Sequence, residues 1–447
     1  MSEDTRQDDR ASAQEKQKKP GDLLPENCRE ETEEKLEDEH RTIHRKKVHW
    51  KSFAAGAAAA VAVLAAAGTI YFLSPVQISP KNPASLGTLK KIAELKSTIQ
   101  AHYYGDVSDS DLTESMMSGL VSGLGDKYSA YYSEEEYSKI RLANKGYTQG
   151  IGISVQQEED GTIQIVYVQK ESPADQAGLK ENDVLTAVNG TSVEGLSVSD
   201  VVKLIQGSDD TSVEVSYTRE GTDGVQTVSM EKSNIEIYSV SGGFLQDDST
   251  IGYIRITKFN GTTSDQFKEI YDQMKEENMK GLIIDLRDNL GGQVSGCCDV
   301  LEQILPKGVL VYERDKNGRE QTRDCKGETP IEIPLAVLVN ENTASASEIF
   351  TGAVQDYGVG TIVGTQTYGK GIEQNPYTLS DGSVVKLTTT HYFTPDKRDI
   401  NGVGITPDIE VENDEDSDTD SQFQKALETV QSQIGETEEK SKTTGDS

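Results

Sequence analysis

Histidine is scarce in this chain, and its scarcity limits the chemistry that a catalytic serine could use. The 447 residues include five histidines, and three of them, His40, His44 and His49, lie in a polar N-terminal segment. Only His102 and His391 remain for a folded domain. A serine hydroxyl needs a base to take its proton, and histidine is the usual base. A desolvated lysine can serve instead, because burial lowers its pKa by disfavouring the charged form.

Cysteine is also rare, which argues against a disulfide framework. Cys28 lies near the N-terminus, and Cys297, Cys298 and Cys325 follow much later. Three cysteines do not form a framework, although a bond from Cys297 or Cys298 to Cys325 stays open. The alternative for the adjacent pair is small apolar packing on a helix. No spacing is typical of a zinc site, and no metal or organic cofactor is expected.

Positive charge is in the minority, so nucleic acid is not an expected partner. The chain has 44 Lys and Arg against 76 Asp and Glu, a net charge of -32 and a pI of about 4.5. Such a balance repels phosphate backbones and favours solubility. The two ends are rich in charge and poor in apolar residues. We predict a disordered tail over residues 1–52 and a helix followed by a disordered tail over residues 413–447.

One long apolar run interrupts this polar composition. Residues 53–73, FAAGAAAAVAVLAAAGTIYFL, have about the length that a helix needs to cross a bilayer. A basic cluster precedes the run and no comparable cluster follows it, so the positive-inside rule places the N-terminus in the cytosol. The prediction is a single-pass anchor in the cell membrane, with everything after Ser74 outside. A cleaved signal peptide and a buried helix of a soluble domain are the alternatives.

Periodicity divides the remaining chain into three regions. Residues 86–145 have helical periodicity, with Asp111 and Ser133 as candidate N-caps, and predict a small helical unit. Residues 146–233 change to short strands separated by Gly, Asn and Asp turns, which indicates a compact β-rich module. Residues 234–412 alternate strands and helices, which predicts an α/β domain.

The β-rich module has the features of a groove that binds an extended peptide. Its first strand opens on alternating glycines that let a ligand approach the backbone, and a later helix offers an apolar face beside that strand. A peptide could add to the strand edge and place its carboxylate in the glycine-rich loop. The candidate peptide-binding residues are Gly150, Ile151, Gly152, Ile153, Val202 and Ile205.

In the α/β domain, candidate functional residues follow two buried strands. One strand ends at Asp285 and is followed by two adjacent glycines, and another ends at Asn340, just before Ser345 and Ser347. Loops at the C-terminal ends of such strands commonly carry function. Further on, Lys370 lies between two glycines. The pattern indicates a serine nucleophile with a lysine base.

Several motifs, spread over about Leu86 to Val411, together resemble the carboxyl-terminal processing peptidases, also called tail-specific proteases. In chain order they are GDKYSAYYSEEEY, a module that looks like a PDZ domain, DLRDNLGG, TASASEIF, GTQTYGKGIEQ and FTPDKRDINGVGITPDIEV. The resemblance implies a ClpP/crotonase-like α/β serine peptidase core with an inserted PDZ domain that captures the C-termini of substrates.

The resemblance also implies roles for single residues. Ser345 matches the nucleophile, Lys370 the general base, and Gln374 the residue that orients the lysine. Glutamine is neutral, so it can hold the amine without favouring the ammonium as a carboxylate would. Backbone N–H groups at a helix start can face a developing oxyanion. The matching oxyanion donors are Ala346 and either Gly291 or Gly292.

Other interpretations of these residues stay open in the sequence. Ser347 is an alternative nucleophile, Ser345 could be a plain helix N-cap, and Gln374 could be structural. Residues 364–370, GTQTYGK, match the start of a phosphate-binding loop, but Gly371 follows where that motif needs Ser or Thr.

Three positions depart from the family pattern. Leu290 and Lys127 stand where proline is typical, and Gln206 stands in the PDZ-like module where many relatives carry arginine. The first two positions set the geometry of their loops. The third affects how peptide binding is coupled to activation.

The predicted function is that of a membrane-anchored serine endopeptidase that cleaves exported proteins with free apolar C-termini. One N-terminal helix would contact the membrane, and self-association into a homo-oligomer is compatible with the sequence. The alternatives are a non-catalytic PDZ-type binding or scaffold protein, and an enzyme kept inactive until a partner engages it.

Overall fold

The computed structural model describes residues 84–207, 211–328, 330–413 and 419–444. The chain divides into two units, Met1–Tyr104 and Gly105–Ser447. In the first unit the described part contains helix α1 (Ala84–His102). The second unit contains the elements that position the candidate site.

The predicted fold class is wrong in one part, the transmembrane helix. Across residues 84–207, 211–328, 330–413 and 419–444, no helix combines the length and the apolar character needed to cross a membrane. The predicted tail of residues 1–52 and the apolar run of residues 53–73 lie outside the described residues.

The segment before the β-rich module contributes two helices and a strand. Helix α2 (Asp109–Ser122) begins after Ser108, whose hydroxyl accepts the backbone N–H of Asp111 at 3.3 Å, so Ser108 replaces Asp111 as the N-cap. Helix α3 (Glu134–Asn144) begins after Ser133, as predicted, and the Glu136 carboxylate accepts the Ser133 backbone N–H at 2.9 Å. Strand β1 (Ala130–Tyr132) lies between the two helices.

The β-rich module is a six-stranded sheet with two short helices. A separate strand pair, β2 and β9, brackets it, and the main sheet has the order β3-β4-β5-β7-β8, with β6 on β5. Strand β3 is an edge strand because it pairs only with β4 within this sheet. The elements are β2 (Tyr147–Gly150), β3 (Ile153–Gln157), β4 (Ile163–Val168), α4 (Pro173–Gln176), β5 (Val184–Val188), β6 (Thr191–Ser192), α5 (Val198–Gln206), β7 (Ser212–Thr218), β8 (Gln226–Glu231) and β9 (Ser233–Glu236).

The α/β domain is built on a six-stranded sheet of order β10-β11-β12-β15-β16-β19, parallel except for the β10–β11 pair. Strands β12 and β15 are buried along their whole length, which explains their continuous apolar sequences. The elements are β10 (Val240–Phe244), β11 (Ile251–Ile256), α6 (Thr263–Glu276), β12 (Gly281–Asp285), α7 (Val294–Leu301), β15 (Leu335–Val339), α8 (Ala346–Tyr357), β16 (Thr361–Gly364), β19 (Ile409–Glu410) and α9 (Ser421–Thr444).

Helices cover both faces of this sheet, and the strand period assigns side chains to each face. Leu282 and Ile284 belong to the core that α6, α7 and α8 complete. Ile283, between them, belongs to the opposite core, which contains Ala426 and Val430 of α9. Successive side chains of a strand point to opposite faces, so β12 supports both layers.

A second sheet connects the α/β domain to the segment before the β-rich module. Strand β18 lies between β1 and β13 and also pairs with β17. Residues 130–132 therefore add a strand to the α/β domain, which the sequence periodicity does not predict. The remaining strands are β13 (Gly308–Asp315), β14 (Glu320–Cys325), β17 (Ile372–Thr378) and β18 (Val384–Phe393).

Candidate active site

The site lies where the parallel neighbours β12 and β15 end. Their following loops are tied together by buried hydrogen bonds. The Thr343 hydroxyl donates to the Leu286 carbonyl at 3.0 Å, and the Ala344 N–H donates to the Asn289 carbonyl at 3.0 Å. The two loops that the sequence singles out are thus held as one structure at the C-terminal edge of the sheet, as expected for an α/β fold.

Ser345 has an unusual backbone at the start of α8. Its φ is 59° and its ψ is -117°, whereas an N-cap residue ordinarily adopts extended φ and ψ angles. The residue is 7% exposed. A non-glycine residue with positive φ is strained and persists only where its surroundings hold it. The backbone angles of Ser345 therefore do not match those of a plain N-cap.

Glu348 holds Ser345 and the lysine loop together. Its fully buried carboxylate accepts the Ser345 N–H at 2.8 Å, the Lys370 N–H at 2.8 Å and the Gly369 N–H at 2.6 Å. The Thr367 hydroxyl donates to the same carboxylate at 2.7 Å. The sequence analysis missed this residue, although its spacing from Ser345 is that of a capping box, S-x-x-E.

The glycine loop lies directly against Ser345. A Cβ added at Gly291 would come within 2.9 Å of the Ser345 Cβ and of the Ala346 nitrogen. The Gly291 N–H donates to the Asn289 side chain at 2.8 Å, so it is already used. For Gly292 and Ala346, by contrast, no hydrogen bond of the N–H is formed with any described residue. Of the predicted oxyanion donors, these two are the available ones.

Lys370 is half-buried beside an aromatic ring. Its Nζ lies 4.4 Å from the centroid of the Tyr128 ring. Burial lowers the pKa of Lys370 below its ordinary value, and the nearby positive charge of Lys386 lowers it further. Lys127 acts in the same direction, and its Nζ donates to the Tyr368 hydroxyl at 2.8 Å. A depressed lysine pKa favours the neutral amine that a general base needs.

Gln374 lies in the same cleft, but the hydrogen bonds of its amide are to residues other than Lys370. Its Nε2 donates to the Thr388 hydroxyl at 3.2 Å and to the Ile372 carbonyl at 3.4 Å. The predicted hydrogen bond to the lysine is not among those of the described residues, where Lys370 is held against Tyr128 instead.

One cleft of ≈ 420 Å³ contains the three predicted catalytic side chains, Ser345, Lys370 and Gln374, together with Gly292. Glu373 also lines it, and burial, followed by the charge of Glu313, raises the pKa of this carboxyl to about 7. Three residues of α3 form part of the wall, namely Tyr137, Ile140 and Asn144. The sequence analysis assigned none of these additional residues.

Two alternatives from the sequence do not match the structure. The Ser347 hydroxyl is fully buried and donates to the Asn289 carbonyl at 3.0 Å, so it has a structural role and does not face the cleft. The loop GTQTYGK directs the N–H groups of Gly369 and Lys370 at the Glu348 carboxylate. These amides are therefore not free to bind a phosphate, as a P-loop requires.

The predicted peptide groove is present in the β-rich module. A cavity of ≈ 410 Å³ runs between the edge strand β3 and helix α5. It brings together all six predicted peptide-binding residues, Gly150, Ile151, Gly152, Ile153, Val202 and Ile205. Tyr167, Gln206 and Tyr238 also line it. An exposed strand edge beside an apolar helix face suits an added peptide strand.

The later cysteines are free and buried, so the disulfide that the sequence left open is not formed. The Cys297 thiol donates to the Ala346 carbonyl at 3.1 Å, behind the start of α8. Burial raises the pKa of Cys298 to about 12, which makes its thiolate unavailable at neutral pH. Within the described ranges, no group of three or more His, Cys, Asp or Glu side chains could hold a metal ion.

Comparison with known proteins covers both modules. Residues 250–411 match peptidase family S41, residues 164–219 match the PDZ domain, and residues 64–136 match the activating protease CtpB N-terminal domain. The chain is 33% identical over 354 residues to the carboxy-terminal processing protease CtpA of Bacillus subtilis (strain 168), covering 78% of this chain and 75% of that protein.

A second relative and one solved structure are also similar to this chain. A probable CtpA-like serine protease of Staphylococcus aureus (strain N315) is 30% identical over 376 residues, which is 83% of this chain and 74% of that protein. The solved structure of a photosystem II D1 C-terminal processing protease is 28% identical, covers 71% of this chain and 86% of its own, and has a TM-score of 0.43. This chain belongs to the carboxy-terminal processing proteases of peptidase family S41, which are serine peptidases, and it carries a PDZ domain.

Proposed function

We propose that this protease uses Ser345 as its nucleophile and Lys370 as its general base, and cuts proteins whose C-termini the PDZ domain holds. The observation that supports this most is the arrangement at the start of α8. Ser345 has a positive φ there and shares one cleft with Gly292 and with a lysine whose pKa is lowered. The N–H groups of Gly292 and of the adjacent Ala346 form no hydrogen bond with the described residues.

The proposed reaction has two steps. Neutral Lys370 takes the Ser345 proton as the hydroxyl oxygen attacks the peptide carbonyl, and the Gly292 and Ala346 N–H groups stabilise the oxyanion. The Lys370 ammonium then gives its proton to the leaving amine, which breaks the C–N bond and leaves an acyl-enzyme. In the second step Lys370 takes a proton from water, and the resulting hydroxide attacks the acyl carbonyl. The Lys370 ammonium then gives this proton to the Ser345 oxygen as the ester bond breaks, which releases the acyl group as a carboxylic acid.

Binding of substrate would bring the lysine into its working position. In the structure Lys370 lies on the Tyr128 ring and the Gln374 amide is bonded to Thr388. Catalytic hydrogen bonds often tighten only once substrate is bound. We infer that Gln374 turns from Thr388 to the lysine amine at that stage, which would give it the orienting role that the family implies.

The groove supports the proposed preference for apolar C-termini. Ile153, Val202 and Ile205 line it, and the Gly150–Gly152 backbone lies at one end of strand β3. A peptide added to β3 would place its last side chain among these apolar residues and its carboxylate near the glycines. The location of the catalytic part outside the cell membrane stays a prediction of the sequence.

The test compares the full-length wild type with Ser345→Ala and Lys370→Ala on an unfolded protein that ends in a free apolar C-terminus. We expect each variant to lose at least about 10³-fold in kcat/KM, because nucleophile and base act as a unit. Ser229→Ala, at an exposed position of the PDZ domain, is the matched control and should retain full activity.

Comparing cleavage of this substrate with cleavage of the same protein amidated at its C-terminus tests capture of the carboxylate separately from catalysis. Slower cleavage of the amidated form by the wild type would support capture of the free carboxylate, and equal cleavage would contradict it. Undiminished cleavage by either variant would overturn the assignment of Ser345 or Lys370 to catalysis.

A further inference from the structure

A second cavity, of ≈ 400 Å³, borders the peptide groove and is lined by positive charge. It lies between α3 and the base of the PDZ domain, and it shares Thr148 and Gln206 with the groove. Its cations are Lys139, Arg141 and Lys145, all on or directly after α3, and none of its lining residues is acidic.

Two of these cations lack a salt-bridge partner among the described residues. Lys139 pairs with Glu135 in the next turn of the helix. In the described part of the chain, neither Arg141 nor Lys145 forms a salt bridge. The whole chain carries a net charge of -32, so an uncompensated basic cavity is unusual for it. A concave surface lined by one sign of charge concentrates ions of the opposite sign.

The cavity lies where the end of a captured peptide would be. Thr148 and Gln149 belong to β2, which runs directly into the Gly150–Gly152 loop. A peptide that pairs with the β3 edge directs its C-terminal carboxylate to this loop. The carboxylate would therefore reach the border between the apolar groove and the basic cavity.

The adjacent helix end does not supply the positive charge that a carboxylate requires. Gln206 is neutral and is the last residue of α5, where the helix dipole is negative. Lys232 donates from its Nζ to the Gln206 carbonyl at 3.4 Å and so offsets part of that dipole. The charge that remains available comes from α3, which lies outside the PDZ domain.

We propose that Arg141 and Lys145 form a carboxylate subsite at the end of the peptide groove, so that α3 takes part in recognising the substrate. The inference rests on the proposed capture of C-termini by the PDZ domain and deepens it. The chemistry bound is a carboxylate, which either the free C-terminus or an acidic side chain next to it could provide.

Neighbouring residues of α3 connect this subsite to catalysis. Tyr137, Ile140 and Asn144 of the same helix line the cleft of Ser345. One eleven-residue helix therefore contributes to the wall of both cavities. A carboxylate held at Arg141 is recognised by the element that also borders the catalytic cleft.

Peptide binding tests the proposal in the full-length Ser345→Ala protein, which holds peptide without cutting it. Three labelled peptides with the same apolar ending are compared: one with a free C-terminus, one amidated, and one amidated with Glu as its penultimate residue. Arg141→Gln and Lys145→Gln are made singly and together, with Lys180→Gln, at an exposed position of the PDZ domain, as the charge-matched control. Arg141 and Lys145 are exposed, and an unchanged Tm confirms that each variant is folded.

We expect the double variant to weaken binding of the free-carboxylate peptide by about tenfold, as for loss of hydrogen bonds to a charged group. The amidated peptide should be unaffected, and the control should bind as the parent does. A loss confined to the Glu peptide would support the subsite and assign it to an acidic side chain. Unchanged affinity of all three peptides would overturn it.

The proposed capture and the subsite fail in different ways in this experiment. If the parent protein binds the free and the amidated peptide equally, capture of the C-terminal carboxylate is wrong, and a subsite for that carboxylate with it. If the parent prefers the free peptide and the double variant keeps the same preference, capture stands and the subsite is overturned.

Discussion

Lys370 and a second lysine, Lys127, both lie against the ring of Tyr128, and this arrangement affects the pKa of Lys370. Lys127 Nζ lies 4.8 Å from the ring centroid and Lys370 Nζ lies 4.4 Å from it. Lys386 lines the same cleft. Like charges disfavour one another's charged forms, so these neighbours add to the effect of burial on the pKa of Lys370. Tyr368 and Asp126 oppose it.

We predict that kcat/KM rises with pH as Lys370 loses its proton, with the midpoint below the ordinary lysine pKa of 10.5. Lys386→Gln removes a neighbouring cation, which raises the pKa of Lys370 and moves this limb to higher pH. The measurement is kcat/KM for peptide cleavage as a function of pH. Only pH values above those at which the Glu373 carboxyl loses its proton are compared. Lys280→Gln, at an exposed lysine paired with Glu438, is the control. A limb that stays in place in the Lys386→Gln variant would contradict the electrostatic role.

The sequence predicts some of the site residues and leaves the choice between others open. The motifs located Ser345 and Lys370, and the structure brings both into one cleft. They did not distinguish Gly291 from Gly292, because that choice depends on the Asn289 side chain, which uses the Gly291 N–H. This hydrogen bond forms only in the folded loop, so the spacing of residues in the sequence does not reveal it.

Among the secondary-structure elements, the start of α8 depends on a single carboxylate. Glu348 accepts hydrogen bonds from Ser345, Thr367, Gly369 and Lys370 in a fully buried environment. It therefore connects the helix that carries the candidate nucleophile to the loop that carries the candidate base. Buried polar groups that lose such a partner are costly, since water cannot replace it.

We predict that Glu348→Ala lowers the stability of the α/β domain by about 3–5 kcal/mol and abolishes cleavage, because it leaves several buried donors unpaired. Glu348→Gln keeps the size but turns an N–H₂ group toward other N–H groups, so it should also be inactive. Thermal unfolding and peptide cleavage measure the two effects. Glu341→Gln, on an exposed neighbouring loop, is the control. A folded and active Glu348→Ala variant would show that the lysine loop is held by other contacts.

Secondary-structure prediction succeeded for buried strands and failed for a short one. Strands β12 and β15 are continuous apolar runs, GLIID and LAVLV, and their burial on both faces explains why the sequence marks them clearly. Strand β1 has only three half-buried residues, AYY, and it exists because β18 offers a pairing edge. A strand of that length has no period to detect, so the region of residues 86–145 was predicted as helical throughout.

For the whole molecule, local charge at the clefts differs from the net charge. The chain is strongly acidic, yet Lys370, Lys386 and Arg323 line the catalytic cleft, and Arg141 and Lys145 line the cavity beside the groove. The field at a cleft is set by its own lining residues at distances shorter than the Debye length of about 8 Å. A peptide that ends in a carboxylate is therefore attracted locally despite the net charge of the protein.

Because different residues of α3 line the basic cavity and the catalytic cleft, we predict a minimum distance between the substrate's C-terminus and the bond that is cut. A helix with its side chains is about 10–12 Å wide, and an extended chain advances about 3.3–3.6 Å per residue. At least about three residues must therefore separate the bond from a captured C-terminus.

A series of peptides with one cleavable bond at increasing distance from a free C-terminus measures this by cleavage rate and mass of products. We expect no cleavage below the threshold, a sharp rise above it, and only a slow decline for longer spacers, because loop closure depends weakly on length. In the Arg141→Gln, Lys145→Gln double variant the threshold should flatten. Efficient cleavage one residue from the free C-terminus would show that the bond reaches Ser345 without capture in the groove.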